Sequence, residues 1–190
     1  MYKFYFSSLR FIPVLLIGFL LVTPVHAQIE DEKAYEKAQE KNEKKIRQQE
    51  EYENLLELAN SQRFVLEANL LYDRYNNSYP VSPATNFLAI DSNQVTLQIA
   101  FPARVGDNGL GGITIDGTVT GYRVNTRKKN ITVYANVSSY TTGQATLIIN
   151  FGPGDRARAR VNGTFGREIT FNGYIMPVKE SSVYKGISRF

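Results

Sequence analysis

The pattern of apolar positions changes once along the chain, near residue 63. Before that point, residues 29–62 contain no glycine or proline and are rich in Glu, Lys, Gln and Ala, which favour helix. Apolar side chains recur at helical spacing only near the end of this stretch, at Tyr52, Leu55, Leu56 and Ala59. We therefore predict a charged helical arm, residues 28–62, whose last two turns dock on the domain that follows.

From Phe64 onward the apolar period falls to two, which is typical of β-strands. The segments with this alternation are 64–72, 86–90, 94–101, 111–117, 118–125, 130–139, 143–151, 156–161 and 168–176. The later links are short, and short links favour antiparallel neighbours because a parallel crossover needs about a dozen residues or more. We predict a mainly β domain, residues 63–190, in which an antiparallel meander of eight or nine strands forms a sandwich or an open barrel.

Each predicted strand has an aliphatic face and a polar face, as in antiparallel sheets that are solvated on one side. In the segment "RARARV" (156–161), the aliphatic face carries Ala157, Ala159 and Val161. The alternate positions Arg156, Arg158 and Arg160 therefore lie on the polar, solvated face. If this strand forms a hairpin with 168–176 and Ala159 faces Ile169, then Arg160 faces Glu168.

The N-terminus has the features of a secretory signal. Lys3 and Arg10 precede the uncharged apolar run Phe11–Val22, and Val25-His26-Ala27 fits a small-x-small cleavage site. The run is shorter than the roughly 20 apolar residues that a spanning helix needs. We predict a signal peptide at residues 1–27 and no transmembrane span after its removal.

The sequence contains no cysteine, so the exported domain has no disulfide and depends on its hydrophobic core for stability. This composition favours a bacterial envelope over a eukaryotic secretory route. We predict that the protein is periplasmic or secreted, in a Gram-negative bacterium.

The formal net charge is +4, but the charged residues are distributed unevenly along the chain. Residues 28–60 carry ten acidic and six basic side chains, whereas residues 61–190 carry eight acidic and fourteen basic ones. An acidic arm thus precedes a basic β domain, which favours anionic partners for the latter.

Four segments of the β region together resemble a known family: "FVLEA" (64–68), "GGITIDG" (111–117), "GQATLII" (143–149) and "ITFNGYIMP" (169–177). In this order after a signal peptide, they are similar to the exported bacterial proteins catalogued as domain of unknown function 4251. The resemblance runs from about Phe64 to Pro177. It implies an exported β domain and no established activity or catalytic residue.

The available side chains exclude several kinds of chemistry. The chain has no cysteine, and its one histidine, His26, is removed with the signal peptide. Sites that need a Cys–His or Ser–His pair, or histidine or thiolate ligands for zinc or haem, are therefore excluded. No spacing of carboxylates suggests a catalytic pair either. We predict no catalytic, cofactor-binding or metal-binding residues, and a protein that is not an enzyme.

Two hypotheses of function remain. In the first, a partner or anionic surface binds the polar face at Arg156, Arg158, Arg160, Tyr134 and Tyr174. The expected partner is an envelope protein, a glycan or a lipid. Nucleic acid is not expected, because it is an unusual partner for an exported protein. In the second, the barrel carries a small apolar ligand or lipid, as small barrels can.

The first testable prediction concerns the mature N-terminus. Because the cleavage site ends at Ala27, N-terminal sequencing of the exported protein should begin at Gln28. Intact mass and cell fractionation provide the check, and retention of residues 1–27 in the membrane fraction would contradict the prediction.

Overall fold

The computed structural model describes residues 23–101, 106–163 and 168–187, with helix side chains described from Lys33 onward. Within these residues the chain forms one α-helix, α1 (Thr23–Ser61), and nine antiparallel strands. The strands are β1 (Arg63–Asp73), β2 (Ser78–Pro80), β3 (Phe87–Asp91), β4 (Gln94–Ala100), β5 (Gly112–Arg127), β6 (Asn130–Ser139), β7 (Gly143–Phe151), β8 (Arg156–Gly163) and β9 (Glu168–Pro177). A 3-10 turn, Val178–Glu180, follows β9. Residues 1–22, which contain the apolar run of the predicted signal, lie outside the described residues.

The sheet closes on itself because the first and last strands pair. β1 pairs with β9 from Phe64↔Pro177 to Asp73↔Ile169, and its other edge pairs first with β3 and then with β2. The remaining strands follow in chain order, so eight strands form a closed barrel and β2 is a short addition. This confirms the predicted mainly β class and antiparallel meander, and the sheet forms a barrel with no open edge between β1 and β9.

The inward-facing side chains fill the space that eight strands enclose. The larger ones with almost no exposure are Phe64, Leu66, Leu71, Leu88, Ile90, Ile131, Leu147, Ile149, Phe171 and Ile175. Phe64 and Phe151 meet edge to face, with ring centroids 5.4 Å apart. An eight-stranded barrel is just wide enough for such side chains. The interior is therefore a hydrophobic core.

The last turns of α1 pack at one end of this core. Leu55 and Ala59 are buried in the same cluster as the inward-facing strand residues, and Tyr52 and Leu56 pack partly against it. The Tyr122 hydroxyl donates to the Ala59 carbonyl, and burial raises the pKa of that phenol. The predicted docking of the last two helical turns is therefore confirmed.

The earlier part of α1 belongs to a different compact unit, since the chain divides between Arg47 and Gln48. Residues 33–50 are exposed along the whole of this stretch. The described residues contain no helix that is long and apolar enough to cross a membrane.

Two predicted strand boundaries were wrong. Segments 111–117 and 118–125 form the single strand β5, and the break predicted at Gly117 is absent. A Cβ at Gly117 would lie 2.7 Å from the Ser138 carbonyl oxygen, so glycine allows β6 to approach rather than ending the strand. The irregularity comes later, as a bulge between Val119 and Gly121. The predicted loop after β1 contains the three-residue strand β2.

The outer face of β3, β4 and β5 is covered by an extended C-terminal strap, residues 181–187. Gln98, which the sequence pattern placed on the solvated face, is fully buried beneath it. The Gln98 amide donates to the Tyr184 carbonyl and accepts from the Gly186 N–H, at 2.8 and 2.7 Å. Lys185 anchors the strap through both carboxylate oxygens of Asp116, at 2.8 and 2.7 Å. The strap thus completes the hydrogen bonding of an amide that also donates to the Thr85 carbonyl and accepts from the Thr114 hydroxyl.

Deletions within α1 should show that its two regions contribute differently to the stability of the protein. Removal through Arg47 should leave the unfolding free energy of the rest nearly unchanged, since residues 33–47 are exposed. Removal through Gln62 also deletes the buried Leu55 and Ala59, and loss of one buried leucine alone costs about 2–5 kcal/mol. Urea denaturation of the two deletions checks this, and an equal loss from both would contradict it.

The strap provides a second stability prediction. A Cβ at Gly186 would lie 2.7 Å from the Asn108 carbonyl oxygen and 2.9 Å from the Leu110 side chain. Gly186→Ala should therefore destabilise the protein by about 1–3 kcal/mol, the usual cost of overpacking. Gly152→Ala is the matched control, because its nearest contact would be an ordinary 3.4 Å. Equal melting temperatures for the two variants would argue against a close-packed strap.

Candidate binding face

Strand β8 presents its arginines outward, as its alternation predicts. Arg156, Arg158 and Arg160 are exposed, while Ala157, Ala159 and Val161 are buried. Because alternate residues of a strand share one face, the three guanidiniums lie along one line on the outer surface of the barrel. The predicted assignment of the two faces of this strand is confirmed.

The predicted register of the β8–β9 hairpin is wrong by two residues. Ala159 lies opposite Phe171 rather than Ile169, and Asn162 rather than Arg160 lies opposite Glu168. β8 extends to Gly163, so two more residue pairs form, and the small Ala159 leaves interior space for the ring of Phe171. A shift of two preserves the alternation, so the arginines keep the predicted face, while the residues directly opposite them change.

Three arginines of the outer surface stack on tyrosine rings. Arg156 lies directly opposite Tyr174, with its guanidinium carbon 5.9 Å from the ring centroid. Arg158 stacks on Tyr72 of β1 at 5.2 Å, and Arg123 of β5 stacks on Tyr134 at 5.0 Å. At these distances the ring quadrupole attracts the cation, and a planar guanidinium is held while its N–H groups remain available.

These contacts define what we call the Arg/Tyr face, a band of the outer surface that extends around the barrel from β5 through β8 and β9 to β1. It comprises Arg123, Tyr134, Arg156, Arg158, Arg160, Tyr174 and Tyr72. The sequence prediction contained five of these residues. Tyr174 lies beside the arginines of β8 as expected, whereas Tyr134 is separated from Arg160 by Ile148 of β7. Tyr134 and Arg160 are thus two strand spacings apart, about 10 Å.

Arg123 and Tyr72 were missed for different reasons. Arg123 lies outward because the bulge between Val119 and Gly121 reverses the alternation of β5, so that Tyr122 and Val124 face the core. Tyr72 joins the face only because β1 pairs with β9, placing Tyr72 opposite Thr170. Nothing local to residues 64–72 predicts that pairing.

The Arg/Tyr face has a strong excess of positive charge. Arg160 forms an ion pair with Glu168 at 3.4 Å, and both side chains are about half exposed. In the described parts of the chain, no carboxylate lies within 4.0 Å of Arg156 or Arg158. Since an exposed pair such as Arg160–Glu168 contributes little, the arrangement adds little to stability and leaves two charges for a ligand.

One acidic residue borders the face at the end of β1. The Asp73 carboxylate accepts the backbone N–H groups of Tyr75 and Asn77, each at 2.9 Å, and the Asn77 side-chain amide at 2.8 Å. The pKa of Asp73 is lowered, chiefly by the hydrogen bond from the Asn77 side chain. Its charge is therefore used to hold the turn after Tyr72.

Two open pockets also lie on the described surface. One, of about 390 Å³, lies between the end of α1 and the end of β9 and is lined by residues that include Asn54, Glu57, Arg63 and Lys179. The second, of about 380 Å³, lies on the outer surface of β5 to β8 and adjoins the Arg/Tyr face. Among residues 23–101, 106–163 and 168–187, no three His, Cys, Asp or Glu side chains are grouped so that they could hold a metal ion.

Comparison with known proteins identifies the family. The model of the family described as "Domain of unknown function (DUF4251)" matches residues 46–175. The chain belongs to the DUF4251 family. This confirms the resemblance found in the sequence, and the match begins inside α1, so the docked end of the helix belongs to the DUF4251 domain.

A crystal structure of another DUF4251 protein, from Bacteroides eggerthii DSM 20697, has a similar fold. The two sequences are 30% identical, the match covers 69% of this chain and 90% of that chain, and the TM-score is 0.57. Comparison with curated proteins finds no match. The DUF4251 description names no catalytic activity, so any function has to be argued from the surface.

Proposed function

We propose that the protein is a non-catalytic, exported envelope domain that binds an anionic partner or surface through the Arg/Tyr face. Export rests on the signal-like N-terminus, in which the apolar run Phe11–Val22 precedes Val25-His26-Ala27. A non-catalytic role rests on the absence of cysteine and on a single histidine at position 26. Binding rests on the geometry of the outer surface.

The observation that carries the proposal is the stacking of exposed guanidiniums on tyrosines. Arg123 and Arg158 are exposed while the rings beneath them, Tyr134 and Tyr72, are half-buried. A guanidinium held in this way offers a planar fork of donors, which matches carboxylate, phosphate or sulfate oxygens. Less rotamer entropy is lost on binding, because stacking already restricts the side chain.

The barrel interior supports the alternative, a carrier of an apolar ligand, less well. Fully buried aromatic and aliphatic side chains such as Phe64, Phe171 and Leu147 pack within the barrel. A ligand in that space would have to displace some of them, which is costly in a close-packed core. The outer face needs no such rearrangement.

Replacing the three arginines of β8 tests the proposal. The variant Arg156→Gln/Arg158→Gln/Arg160→Gln should bind vesicles of phosphatidylcholine and phosphatidylserine, or heparin, far more weakly. At about 1 kcal/mol per basic side chain, the loss is roughly 100-fold at low salt. Its melting temperature should barely change, since exposed substitutions stay within about 0.5 kcal/mol.

The matched control removes three positive charges from the exposed part of α1, as Lys37→Gln/Lys41→Gln/Lys45→Gln. If binding depends on the Arg/Tyr face, the control should retain it and respond to salt like the wild-type protein. Equal losses in both variants would mean that only net charge matters. A wild-type protein with no salt-sensitive retention on either probe would refute the proposed function.

A further inference from the structure

The pocket beside the Arg/Tyr face has a distinctive chemistry. Its volume is about 380 Å³, and most of the side chains that line it carry a hydroxyl or an amide and no charge: Thr120, Asn136, Gln144, Thr146 and Asn162. We call this set the amide groove. Hydroxyl and amide groups both donate and accept hydrogen bonds, so the groove suits a ligand that does the same.

The amide groove and the Arg/Tyr face are parts of one continuous surface. Tyr134, Ile148 and Arg160 are directly paired neighbours across β6, β7 and β8. Two residues further along the same strands, Asn136, Thr146 and Asn162 form the next outward-facing row. The rows are thus about 7 Å apart on the same face, close enough for one extended ligand to contact both.

The groove is partly organised by its own hydrogen bonds. The Thr146 hydroxyl donates to the Asn136 side-chain oxygen at 3.3 Å, and the Thr120 hydroxyl donates to the Asn136 carbonyl at 3.1 Å. Thr120 is the residue left over at the bulge between Val119 and Gly121. The bulge orients this hydroxyl toward β6, and β-bulges commonly redirect a side chain in this way.

Building on the proposed function, we propose that the ligand is an acidic polysaccharide. Sugar hydroxyl groups would bind the amide groove. Carboxylate groups of the same chain would bind the guanidinium of Arg158, and that of Arg160 in competition with its exposed, weak ion pair to Glu168. A polyanion that has neither hydroxyl nor amide groups would contact the arginines alone. The groove therefore supplies selectivity for sugar, and the arginines supply attraction for charge.

Other anionic partners fit this surface less well. A lipid surface is bound most stably when apolar side chains insert beside the cations. Of the residues directly opposite Arg158 and Arg160, only Ile148 is apolar, and the others are Asn150, Asn172 and Thr170. Single-stranded nucleic acid needs aromatic rings free for base stacking, whereas three tyrosines of this face already stack on arginines.

Three probes distinguish these ligands: polygalacturonate, polyacrylate at the same carboxylate concentration, and vesicles of phosphatidylcholine and phosphatidylserine. The wild-type protein should bind polygalacturonate about tenfold more tightly than polyacrylate, the gain expected from one or two additional hydrogen bonds. The groove variant Thr146→Val/Asn162→Leu keeps the number and branching of the side-chain heavy atoms and removes the polar ones. It should bind polygalacturonate no better than polyacrylate, with binding of polyacrylate unchanged.

The control Thr126→Val/Asn42→Leu makes the same exchanges at exposed positions outside the groove and should keep the preference. Equal wild-type binding of the two polymers, or an unchanged preference in the groove variant, would overturn the inference and leave the proposed function standing. Tighter binding of vesicles than of polygalacturonate would overturn it in favour of a lipid surface. Binding of none of the three probes would refute the proposed function as well.

Discussion

The pairing of β1 with β9 is the constraint on which the rest of the structure depends. It gives every barrel strand two neighbours and divides the side chains strictly into an inside and an outside. The two strands fit together through a bulge between Ala68 and Leu70, after which Leu71 resumes the inward position and Tyr72 points out. The same pairing therefore completes the core with Leu71 and brings Tyr72 beneath Arg158.

Much of this fold follows from local pattern. The two-residue period predicts the strands and their faces, because burial on one side makes a one-residue slip costly. The buried Leu55 and Ala59 were likewise predictable, since they are isolated apolar positions in a charged helix. The register of β8 against β9 was not predictable from this pattern, because a shift by two residues leaves every side chain on the same face. The register is decided instead by packing, such as that of Phe171 against Ala159.

The features that the sequence did not reveal depend on contacts between distant residues. Gln98 has the pattern of a solvated position, but residues 181–187 cross it and Thr85 and Thr114 also bind its amide, so it is buried. Tyr72 joins the Arg/Tyr face only after barrel closure. By contrast, Arg156, Arg158, Arg160 and Tyr174 were predicted correctly as one cluster, since their alternation and hairpin proximity are local properties.

Closure through the chain ends also has a consequence for how the protein forms. The contact Phe64↔Pro177 joins the first strand to the last, so the sheet cannot be completed until nearly the whole β region is available. Pairing between such distant segments forms slowly, because the chain must lose the entropy of a long loop before any stabilising contact is made. Until then β1 and β9 expose unpaired edges, which are templates for pairing with other chains. The exposed arginines of β8, next to β9, place repelling charge beside one of these edges during that interval.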